Sequence, residues 1–518
     1  MSERSEARSS NNRLDAARRR RELDLLADAD TIDLLVIGGG VTGTGAALDA
    51  AARGLRVVLV EAHDWAFGTS RWSSKLVHGG LRYLVTGRVG VARESAVERH
   101  VLMTTTAPHL VRPLASVVPL LPGVRWWEVG MIRTGFAAAD LLRMNARTST
   151  ALLPRARRIS AEQTRRRFGG VQAEGLRGGV LSYDGQLIDD ARLVVALART
   201  AAELGATVLT RIRAENVTGT SARLLDTLTG ESLTVTARAV VNATGVWAGQ
   251  VDPSVKVRPS RGTHLVLDAA ALGNPTSSLT VAVPGSHSRF VFAMPEQLGR
   301  VYLGLTDEEA PGPIPDEPVA AEHEITFLLD TINQAMARTL TRGDVLGTYS
   351  GLRPLVDIGG GETADVSRKH AVTVGPNGVV SIIGGKLTTY RQMAEDVVDR
   401  AVAVAGLAAT PCRTKTIPLV GAPARPDSTG VAGLPDSLVA RHGGLSRAVV
   451  DAATVAEPLA PIAEGIDVTR AEIEYAVTHE GALDGSDVLD RRTRIGLVPA
   501  DADRARAAVE DILAAVPH

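Results

Sequence analysis

The stretch "SRWSSKLVHGGLRYL", from Ser70 to Leu84, concentrates residue types that could do chemistry. It places three serines, a lysine, a histidine and two arginines around a Gly-Gly pair. A core strand or an amphipathic helix is specified by apolar periodicity and does not require this mixture. The stretch therefore indicates a binding or catalytic site. His78 in this stretch and His264 in "RGTHLVLD" are candidate proton acceptors, because histidine titrates near neutrality. A histidine within a strand is more often structural.

Four cations lie near glycine turns or prolines and could form one anion site. A planar guanidinium makes two parallel charge-assisted hydrogen bonds with a phosphate or a carboxylate. Taken singly, each of these charges is more commonly a solvated surface group, so their adjacency to glycine turns is the reason to group them. They are Arg82, Arg353 in "TYSGLRPLVD", Arg368 and Lys386.

A glycine fingerprint predicts a dinucleotide site near the N-terminus. Gly38, Gly40 and Gly43 fit G-x-G-x-x-G, with a strand pattern before them and a helix pattern after them. The first glycine permits a tight turn, the second lets the backbone approach a pyrophosphate, and the third allows close packing of helix on strand. Glu61 ends the next predicted strand, where an acid can accept hydrogen bonds from a ribose. The alternative is a purely structural glycine turn.

Two later segments favour FAD over NAD as the dinucleotide. NAD domains usually continue as repeated strand–helix units, whereas this chain departs into the serine-rich stretch. "VVNATG" (Val240 to Gly245) and "GGKLTTY" (Gly384 to Tyr390) imply a site assembled from distant segments, which suits a large extended ligand. "GGKLTTY" also resembles the N-terminus of a second helix, whose positive dipole end favours nearby negative charge.

The elements that must position these residues follow from apolar periodicity. "DLLVIGGG", "TGTGAALDAAARG" and "LRVVLVEA" predict a right-handed, parallel βαβ unit. The pattern is strand-rich from about Val255 to Asp307, and it becomes helical beyond the Pro- and Gly-rich segment from Gly421 to Ser437. Before the first strand, a short helix is predicted with Leu14, Leu25 and Leu26 as its apolar edge.

Composition excludes several classes of protein. The formal net charge is -1 over 518 residues, so no global basic field points to nucleic acid. The single cysteine, Cys412, excludes an internal disulfide and an all-cysteine metal or iron–sulfur site, and no Cys/His cluster predicts a metal.

No apolar run reaches the roughly 20 residues of a spanning helix. A cytoplasmic protein is expected, and the Trp126-Trp127 pair could lie at a membrane interface or pack on the core.

Taken together, these segments resemble the FAD-dependent glycerol-3-phosphate dehydrogenases of the D-amino-acid-oxidase-like flavoprotein superfamily. "SSKLVHGGLRYL" and "GGKLTTYR" carry the resemblance most specifically, and "RGTHLVL" and "TYSGLRPL" follow the family's order. The resemblance implies an α/β fold with a Rossmann-like FAD-binding domain, a β-rich substrate domain and a C-terminal α-helical domain. The expected division is an N-terminal extension over 1–30, a discontinuous FAD-binding domain with the substrate domain inserted over 31–410, and the helical domain over 411–518. The chain differs from the family pattern at Arg71-Trp72, where small residues are expected.

The resemblance also implies site residues, which are carried over here onto this chain's numbering. Around the substrate it implies Arg82, Tyr83, His264, Arg353, Arg368 and Lys386, with Arg82, His264, Arg353 and Lys386 taking part in catalysis. The cofactor-binding set comprises Gly38, Gly40, Val41, Thr42, Gly43, Glu61, Thr69, Ser70, Ser74, His78, Gly79, Ala243, Thr244, Gly245, Gly385, Lys386, Leu387 and Thr388. The catalytic base is His264 or a group that cooperates with Arg353.

The implied reaction oxidises sn-glycerol 3-phosphate to dihydroxyacetone phosphate, with non-covalent FAD as hydride acceptor and a membrane quinone as final oxidant. Peripheral attachment to the inner face of the cytoplasmic membrane follows from that acceptor, and a homodimer is one option for the assembly. A glycerol-3-phosphate oxidase, which passes electrons to oxygen, would share the same motifs. An amine or 2-hydroxy-acid oxidising relative would not explain several cations around "HGGLRYL" and "SGLRPL". A flavin-binding module without enzymatic activity is a further alternative.

Overall fold

The computed structural model describes residues 12–80, 88–122, 135, 138–286, 289–356, 369–422 and 431–516. The strands in these ranges are, in chain order, β1 (Ile32–Ile37), β2 (Val57–Val60), β3 (Leu76–Val77), β4 (Val111–Pro119), β5 (Arg157–Ile159), β6 (Gly179–Leu187), β7 (Thr207–Leu209), β8 (Ile212–Glu215), β9 (Ser221–Asp226), β10 (Ser232–Asn242), β11 (Val257–Asp268), β12 (Ser278–Ala282), β13 (Phe290–Pro295), β14 (Arg300–Gly304), β15 (Glu308–Glu309), β16 (Val345–Val356), β17 (Ala371–Val374), β18 (Val380–Ile383), β19 (Pro461–Ala463) and β20 (Ile466–Thr469). The α-helices are α1 (Ala16–Ala27), α2 (Val41–Ala52), α3 (Val89–Val101), α4 (Ala161–Arg167), α5 (Asp190–Glu203), α6 (Ala248–Val251), α7 (Glu322–Asn333), α8 (Tyr390–Ala405), α9 (Asp436–His442), α10 (Ser446–Asp451), α11 (Arg470–Glu480) and α12 (Pro499–Ala515).

The first large sheet contains the parallel βαβ unit that the glycine fingerprint predicts. Its strand order is β17-β18-β10-β1-β2-β7, and β1 lies parallel to both β10 and β2. β1 is buried on both faces because it is central. Leu34 and Val36 pack on one face among residues of α2, α5 and α8. Leu35 and Ile37 pack on the other face against β8, β9 and residues 235–240 of β10. A strand covered on both sides has a continuous apolar sequence, which here is "LLVI".

The second large sheet has the order β15-β11-β14-β13-β12-β4-β6-β3, with β16 paired to β11 and β5 to β6. α7 covers one face of this sheet. Successive side chains of a strand point to opposite faces. In β11, Leu265 and Leu267 pack in the core with α7, so His264 points to the opposite face, where it lines a cavity. Strand alternation is therefore what directs the histidine into the site.

The C-terminal part has its own apolar core, which is built from α11, α12 and the small β19–β20 sheet. The helix pattern of the sequence runs on past "EIEYAVTHEG", but α11 ends at Glu480, where Gly481 adopts a φ of +74°. The following residues form a π-helical turn over Asp487–Arg492 and a 3-10 turn over Ile495–Leu497. The boundaries at residues 30 and 410 stay predictions.

The N-terminal helix differs from its sequence prediction in one residue. Leu14 and Leu26 are buried, as expected, but the Leu25 residue is 70% exposed. The buried face of α1 includes the ion-paired Arg18 and Glu22. The apolar periodicity of the sequence predicted Leu25 on the buried face, but the ion pair Arg18–Glu22 lies there instead. Across the described ranges, no helix combines the length and the apolar character needed to span a bilayer.

Candidate functional site

A cavity of about 1340 Å³ is lined by residues from both large sheets. Sites for drug-sized ligands usually measure about 300–1,000 Å³, so this volume suits an extended ligand together with a small second molecule. Of the predicted cofactor set, Gly43 lies behind the cavity wall and the other residues line it. The cavity thus brings together segments that lie more than three hundred residues apart in the chain, from Gly38 to Thr388.

The glycine turn between β1 and α2 has no room for side chains. Gly38 has a φ of +112°, and a Cβ atom there would lie 2.6 Å from the carbonyl oxygen of Ala243. A Cβ atom on Gly43 would lie 1.8 Å from the carbonyl oxygen of Gly38. Gly40 is the N-cap of α2 and lines the cavity with Thr42. The positive end of α2 is therefore directed at the cavity, as a pyrophosphate site requires.

Glu61 follows the end of β2 and is held by backbone donors. The Gly39 N–H donates to its Oε2 at 2.6 Å, and the His63 N–H donates to its Oε1 at 2.9 Å. Burial raises the pKa of the Glu61 carboxyl, and these backbone hydrogen bonds act against that rise. The carboxyl lines the cavity beside the glycine turn. This is the position at which the fingerprint predicts a ribose-binding acid.

The serine-rich stretch follows the cavity wall, and its hydroxyl groups have distinct partners. The Val41 N–H donates to Ser70 Oγ at 2.9 Å, and Thr69 Oγ1 donates to the Leu352 carbonyl at 2.6 Å. Ser74 Oγ lies 2.8 Å from Nε2 of His264. The stretch thus ties the glycine turn of the first sheet to two strands of the second.

Within the stretch, Gly79 is held by a charged pair that no sequence motif marked. Arg99 Nη1 donates to Asp184 Oδ1 at 2.6 Å, and the Gly79 N–H donates to the same carboxylate at 2.9 Å. A Cβ atom on Gly79 would lie 2.4 Å from Arg99 Nη1, so a larger residue there would displace the Arg99 guanidinium. His78 also lines the cavity, and its Nδ1 accepts the Gly80 N–H at 3.2 Å.

Two distant turns complete the cavity wall. Asn242 ends β10, and its Oδ1 accepts hydrogen bonds from the Thr244 N–H at 3.2 Å and from the Thr244 hydroxyl at 2.7 Å. The second turn runs from β18 into α8 through Gly385, where φ is +76° and a Cβ atom would meet the Met393 sulfur at 2.4 Å. Lys386 follows, lines the cavity and donates from Nζ to Ser95 Oγ at 2.7 Å.

His264 is enclosed within the second sheet. It is 1% exposed, and its ring stacks on Tyr349 with a centroid distance of 4.6 Å and an interplanar angle of 8°. On the neighbouring strand, a Cβ atom on Gly304 would lie 2.1 Å from the ring, so a glycine is required. Burial, together with the positive charges of Lys75 and Arg353, holds the pKa of His264 well below its usual value. The ring is therefore neutral at physiological pH.

Arg353 lies on the same face of the sheet as His264. β11 and β16 are antiparallel, and their register pairs Ser260 with Arg353 and His264 with Tyr349. The Arg353 guanidinium donates to Asp307 Oδ1 at 3.2 Å and to the Thr306 carbonyl at 3.2 Å. It lies over Gly262, where a Cβ atom would be 2.1 Å from Nη2. The guanidinium is held in place and still lines the cavity.

Three predicted substrate residues, Arg82, Tyr83 and Arg368, lie outside the described residues, as does the Trp126-Trp127 pair. Among the described residues, His264, Arg353 and Lys386 line one cavity. Tyr349, which supports His264, was not identified from the sequence. Strand alternation in "TYSGLRPL" does place it on the face of Gly351 and Arg353 once the segment is known to be a strand.

Arg71 points away from the cavity. Its side chain is fully buried, and Nη2 donates to Glu317 Oε1 at 2.6 Å. The guanidinium lies 4.1 Å from the centre of the Trp72 ring, and the Arg71 carbonyl accepts a hydrogen bond from Arg494 at 2.6 Å. The two large residues that depart from the family pattern therefore join the cavity wall to the C-terminal part of the chain.

Comparison with known proteins identifies relatives over nearly the whole chain. A family model described as FAD dependent oxidoreductase matches residues 33–391, and one described as C-terminal domain of alpha-glycerophosphate oxidase matches residues 412–517. The chain is 60% identical over 506 residues to "Glycerol-3-phosphate dehydrogenase 1" of Mycobacterium tuberculosis H37Rv, covering 96% of this chain and 98% of that protein. It is 36% identical to "Glycerol-3-phosphate dehydrogenase" of Synechocystis, covering 90% of each.

Solved structures show the same architecture. The glycerol-3-phosphate dehydrogenase of Bacillus halodurans complexed with FAD matches with a TM-score of 0.74 and 26% identity, covering 97% of this chain and 93% of that one. The FAD-bound L-alpha-glycerophosphate oxidase of Mycoplasma pneumoniae matches with a TM-score of 0.55 and 17% identity, covering 74% and 97%. The second match supports the fold alone.

Proposed function

The chain belongs to the FAD-dependent glycerol-3-phosphate dehydrogenases of the FAD-dependent oxidoreductase family, and on that premise we propose that it oxidises sn-glycerol 3-phosphate to dihydroxyacetone phosphate and delivers the electrons to a quinone. The family, the α/β architecture and FAD as the cofactor were predicted from the sequence and are confirmed. The observation that carries the proposal is the placement of His264, Arg353 and Lys386 in the same cavity as the glycine turn.

The described residues fit FAD. Glycines stand where a side chain would collide with the turn, the N-terminus of α2 opens on the cavity, and Glu61 is held beside that turn. In the proposed site, the glycine turn holds the pyrophosphate and Glu61 accepts the ribose hydroxyls. The segments around Ser70, Thr244 and Gly385 hold the remainder of the cofactor. When bound, FAD supplies the hydride acceptor for the reaction.

The substrate phosphate is proposed to bind the cations of the site. Arg353 presents a guanidinium that Asp307 and the Thr306 carbonyl have already oriented, so little side-chain entropy is lost on binding. Lys386 adds a second positive charge at the start of a helical segment. Arg82, Tyr83 and Arg368 belong to the same proposed set. Together these groups would orient the C2 carbon of the substrate for oxidation.

His264 is proposed to hold the proton that leaves the substrate hydroxyl. Its ring is neutral, so Nε2 or Nδ1 has a lone pair to accept a proton. Burial, Lys75 and Arg353 are the causes of its lowered pKa, and a phosphate dianion bound at Arg353 offsets part of this positive charge. Substrate binding would therefore raise the basicity of His264 at the moment when a base is needed.

Anaerobic titration of the holoenzyme with sn-glycerol 3-phosphate tests the oxidation. We expect the oxidised flavin absorbance to bleach at one substrate per flavin, whereas glycerol, which lacks the phosphate, leaves it unchanged at the same concentration. A flavin that sn-glycerol 3-phosphate does not bleach would support a binding module and contradict the proposal.

The acceptor needs its own experiment. The relative at 60% identity is named a dehydrogenase, whereas the C-terminal family model carries the name of an oxidase. We expect a short-chain quinone to reoxidise the substrate-reduced enzyme at least tenfold faster than dissolved oxygen does. Stoichiometric hydrogen peroxide at turnover rate would instead identify an oxidase.

A cytoplasmic location with peripheral attachment to the membrane is proposed with the quinone. Co-flotation with vesicles of anionic lipid, in the presence and absence of quinone, tests that attachment. Protein that stays entirely in the aqueous fraction contradicts it. The homodimer stays a prediction.

A further inference from the structure

Ser74 differs from the other serines of its stretch in what its hydroxyl contacts. Ser70 Oγ accepts a backbone N–H of the glycine turn, and Ser73 Oγ donates to the buried Asp190 at 2.7 Å. Ser74 Oγ lies 2.8 Å from Nε2 of His264, and both residues line the cavity. Among the described residues, this is the hydrogen bond that links the stretch directly to the histidine.

The surroundings of His264 make Ser74 its route to the cavity. The residue is 1% exposed, Tyr349 stacks on its ring, and Gly304 allows the adjacent strand to approach the ring closely. Nδ1 is buried without a hydrogen-bond partner in the described ranges, so it is closed to a molecule in the cavity. Nε2 faces Ser74. A substrate hydroxyl can therefore exchange a proton with the ring through the Ser74 hydroxyl.

We propose that Ser74 is a catalytic residue that relays the substrate proton to His264. This step rests on the proposed function. The Ser74 oxygen accepts the proton of the C2 hydroxyl while the Ser74 proton passes to Nε2, so the serine ends the step as a neutral hydroxyl and the histidine ends it as an imidazolium. The C2 carbon is oxidised to a ketone as its hydride leaves for FAD, which is the oxidant of this family.

The local structure holds the relay in position. Ser73 and Lys75 flank the serine, and both bind the buried carboxylate of Asp190, with Lys75 Nζ at 2.8 Å. The Tyr349 hydroxyl donates to the Ser73 carbonyl at 3.2 Å. The same tyrosine stacks on His264. The backbone of the serine and the ring of the histidine are thus fixed to one another through a shared neighbour, as short proton transfers require.

Two nearly isosteric variants test the relay. Ser74→Thr keeps the hydroxyl and Ser74→Val replaces it with a methyl group, so the pair differs in chemistry and hardly in volume. We expect substrate to reduce the flavin of the Thr variant within about threefold of the wild-type rate, and that of the Val variant about a hundredfold more slowly, which is the lower range of general acid–base contributions. Ser116→Ala, which removes another hydroxyl from the cavity wall, where Ser116 Oγ lies 3.0 Å from Thr280 Oγ1, is the control.

The outcomes separate this proposal from the function on which it rests. If substrate fails to reduce the wild-type flavin, the function is wrong whatever Ser74 does. If wild-type and Val enzymes are reduced at equal rates, or if Ser116→Ala loses as much as the Val variant, the relay is wrong and the function stands. Substrate dissociation constants and bound FAD, measured on each variant, are expected to stay within about threefold of wild type.

A measurement on the wild type covers the case in which the variants do not fold. Two protons move together in the relay. The flavin reduction rate, plotted against the D₂O fraction of the solvent, is therefore expected to lie below the straight line that joins the rates in pure H₂O and pure D₂O. A straight-line dependence, or no solvent isotope effect, contradicts the relay.

Discussion

His264 is the proposed proton acceptor and is almost completely buried, so its replacement should affect the rate of flavin reduction. Its ring fills a space that Tyr349 and Gly304 define, and its pKa is lowered by burial and by Lys75 and Arg353. We expect His264→Asn to slow flavin reduction by substrate about 10²- to 10⁴-fold, the range for loss of a general base. Stopped-flow absorbance of the flavin measures this. A reduction rate equal to wild type would show that His264 is not the base.

The planar guanidinium of Arg353 can make two parallel hydrogen bonds to a phosphate, and a lysine ammonium cannot reproduce that geometry. We expect Arg353→Lys to raise the dissociation constant for glycerol 3-phosphate about tenfold to a hundredfold, since one charge remains but bidentate geometry is lost. The spectral change of bound flavin on titration measures it. Arg112, which bonds to Gln186, offers a control for loss of a guanidinium from the same sheet. An equal effect of Arg112→Lys would remove the case for a specific phosphate contact.

Residues carried by local motifs are the ones that the structure brings to one cavity, while their roles stay predictions. The glycine turn, Glu61 and Lys386 lie in local motifs whose spacing reflects the backbone geometry, and all but Gly43 line the cavity. Tyr349 and the Arg99–Asp184 pair were missed because their contacts depend on strand register and on helix packing between distant segments. Arg71 was identified only as a departure from the family pattern, and nothing local in the sequence indicates that its side chain turns toward Glu317.

At the scale of elements, residues 311–320 form a strap between β15 and α7. The strap contains three prolines and a glycine before Glu317, so it extends without regular secondary structure. Ile314 and Asp316 line the cavity, while Glu317, whose side chain is 60% exposed, bonds to the fully buried Arg71. That ion pair connects the strap to the edge of the cavity.

Breaking this ion pair should loosen the cofactor and not the fold. Glu317→Gln leaves Arg71 with a neutral partner, and burial together with Arg491 already lowers the pKa of that guanidinium to about 10. We expect the rate of FAD release to rise several-fold, because the buried Arg71 then keeps, within the described ranges, only its 3.8 Å ion pair with Asp490 and no longer holds the strap by charge. Flavin fluorescence after dilution reports it. Glu322→Gln, in the exposed start of α7, is the control, and an equal change there would contradict a role for the pair.

On the scale of the whole molecule, buried charges join the C-terminal part to the FAD-binding part. Asp64 accepts hydrogen bonds from Arg491 at 2.7 Å and from Arg492 at 2.8 Å. Burial opposes ionisation, but Arg492 and Arg491 together hold the pKa of Asp64 below its usual value. Nearby, Arg192 of α5 donates to Glu480 of α11 at 2.6 Å. Removing one partner of such a pair typically costs about 3–5 kcal/mol.

Histidines at this junction predict loss of stability in acid. Burial and Arg192 lower the pKa of His109 to about 3, and the same causes lower that of His442 despite Glu472 and Glu480 beside it. A lowered folded-state pKa means that the unfolded chain binds more protons below about 6.5. Stability is therefore complete above that pH and falls as pH drops, by up to about 1.4 kcal/mol per pH unit for each such histidine.

Thermal unfolding of the FAD-saturated enzyme between pH 8 and pH 5 tests this expectation. We expect the unfolding temperature to fall with decreasing pH, and His109→Asn to flatten the slope whatever its effect at pH 8. His323, which is 65% exposed at the side chain, is the control position. A slope unchanged by His109→Asn would show that other groups govern the acid response.

The first sheet has a consequence for synthesis on the ribosome. β1 ends at residue 37, its neighbour β10 ends at residue 242, and Tyr390, whose ring packs on Gly45 of α2, comes later still. Translation at about 5–20 residues per second leaves the glycine turn waiting roughly 20–70 s for these partners. The nascent chain must therefore leave the β10 edge of β1 unpaired until β10 has been synthesised. We expect cofactor capture to follow release of nearly the whole polypeptide, and expression yield to depend on holdase chaperones more than on flavin supply.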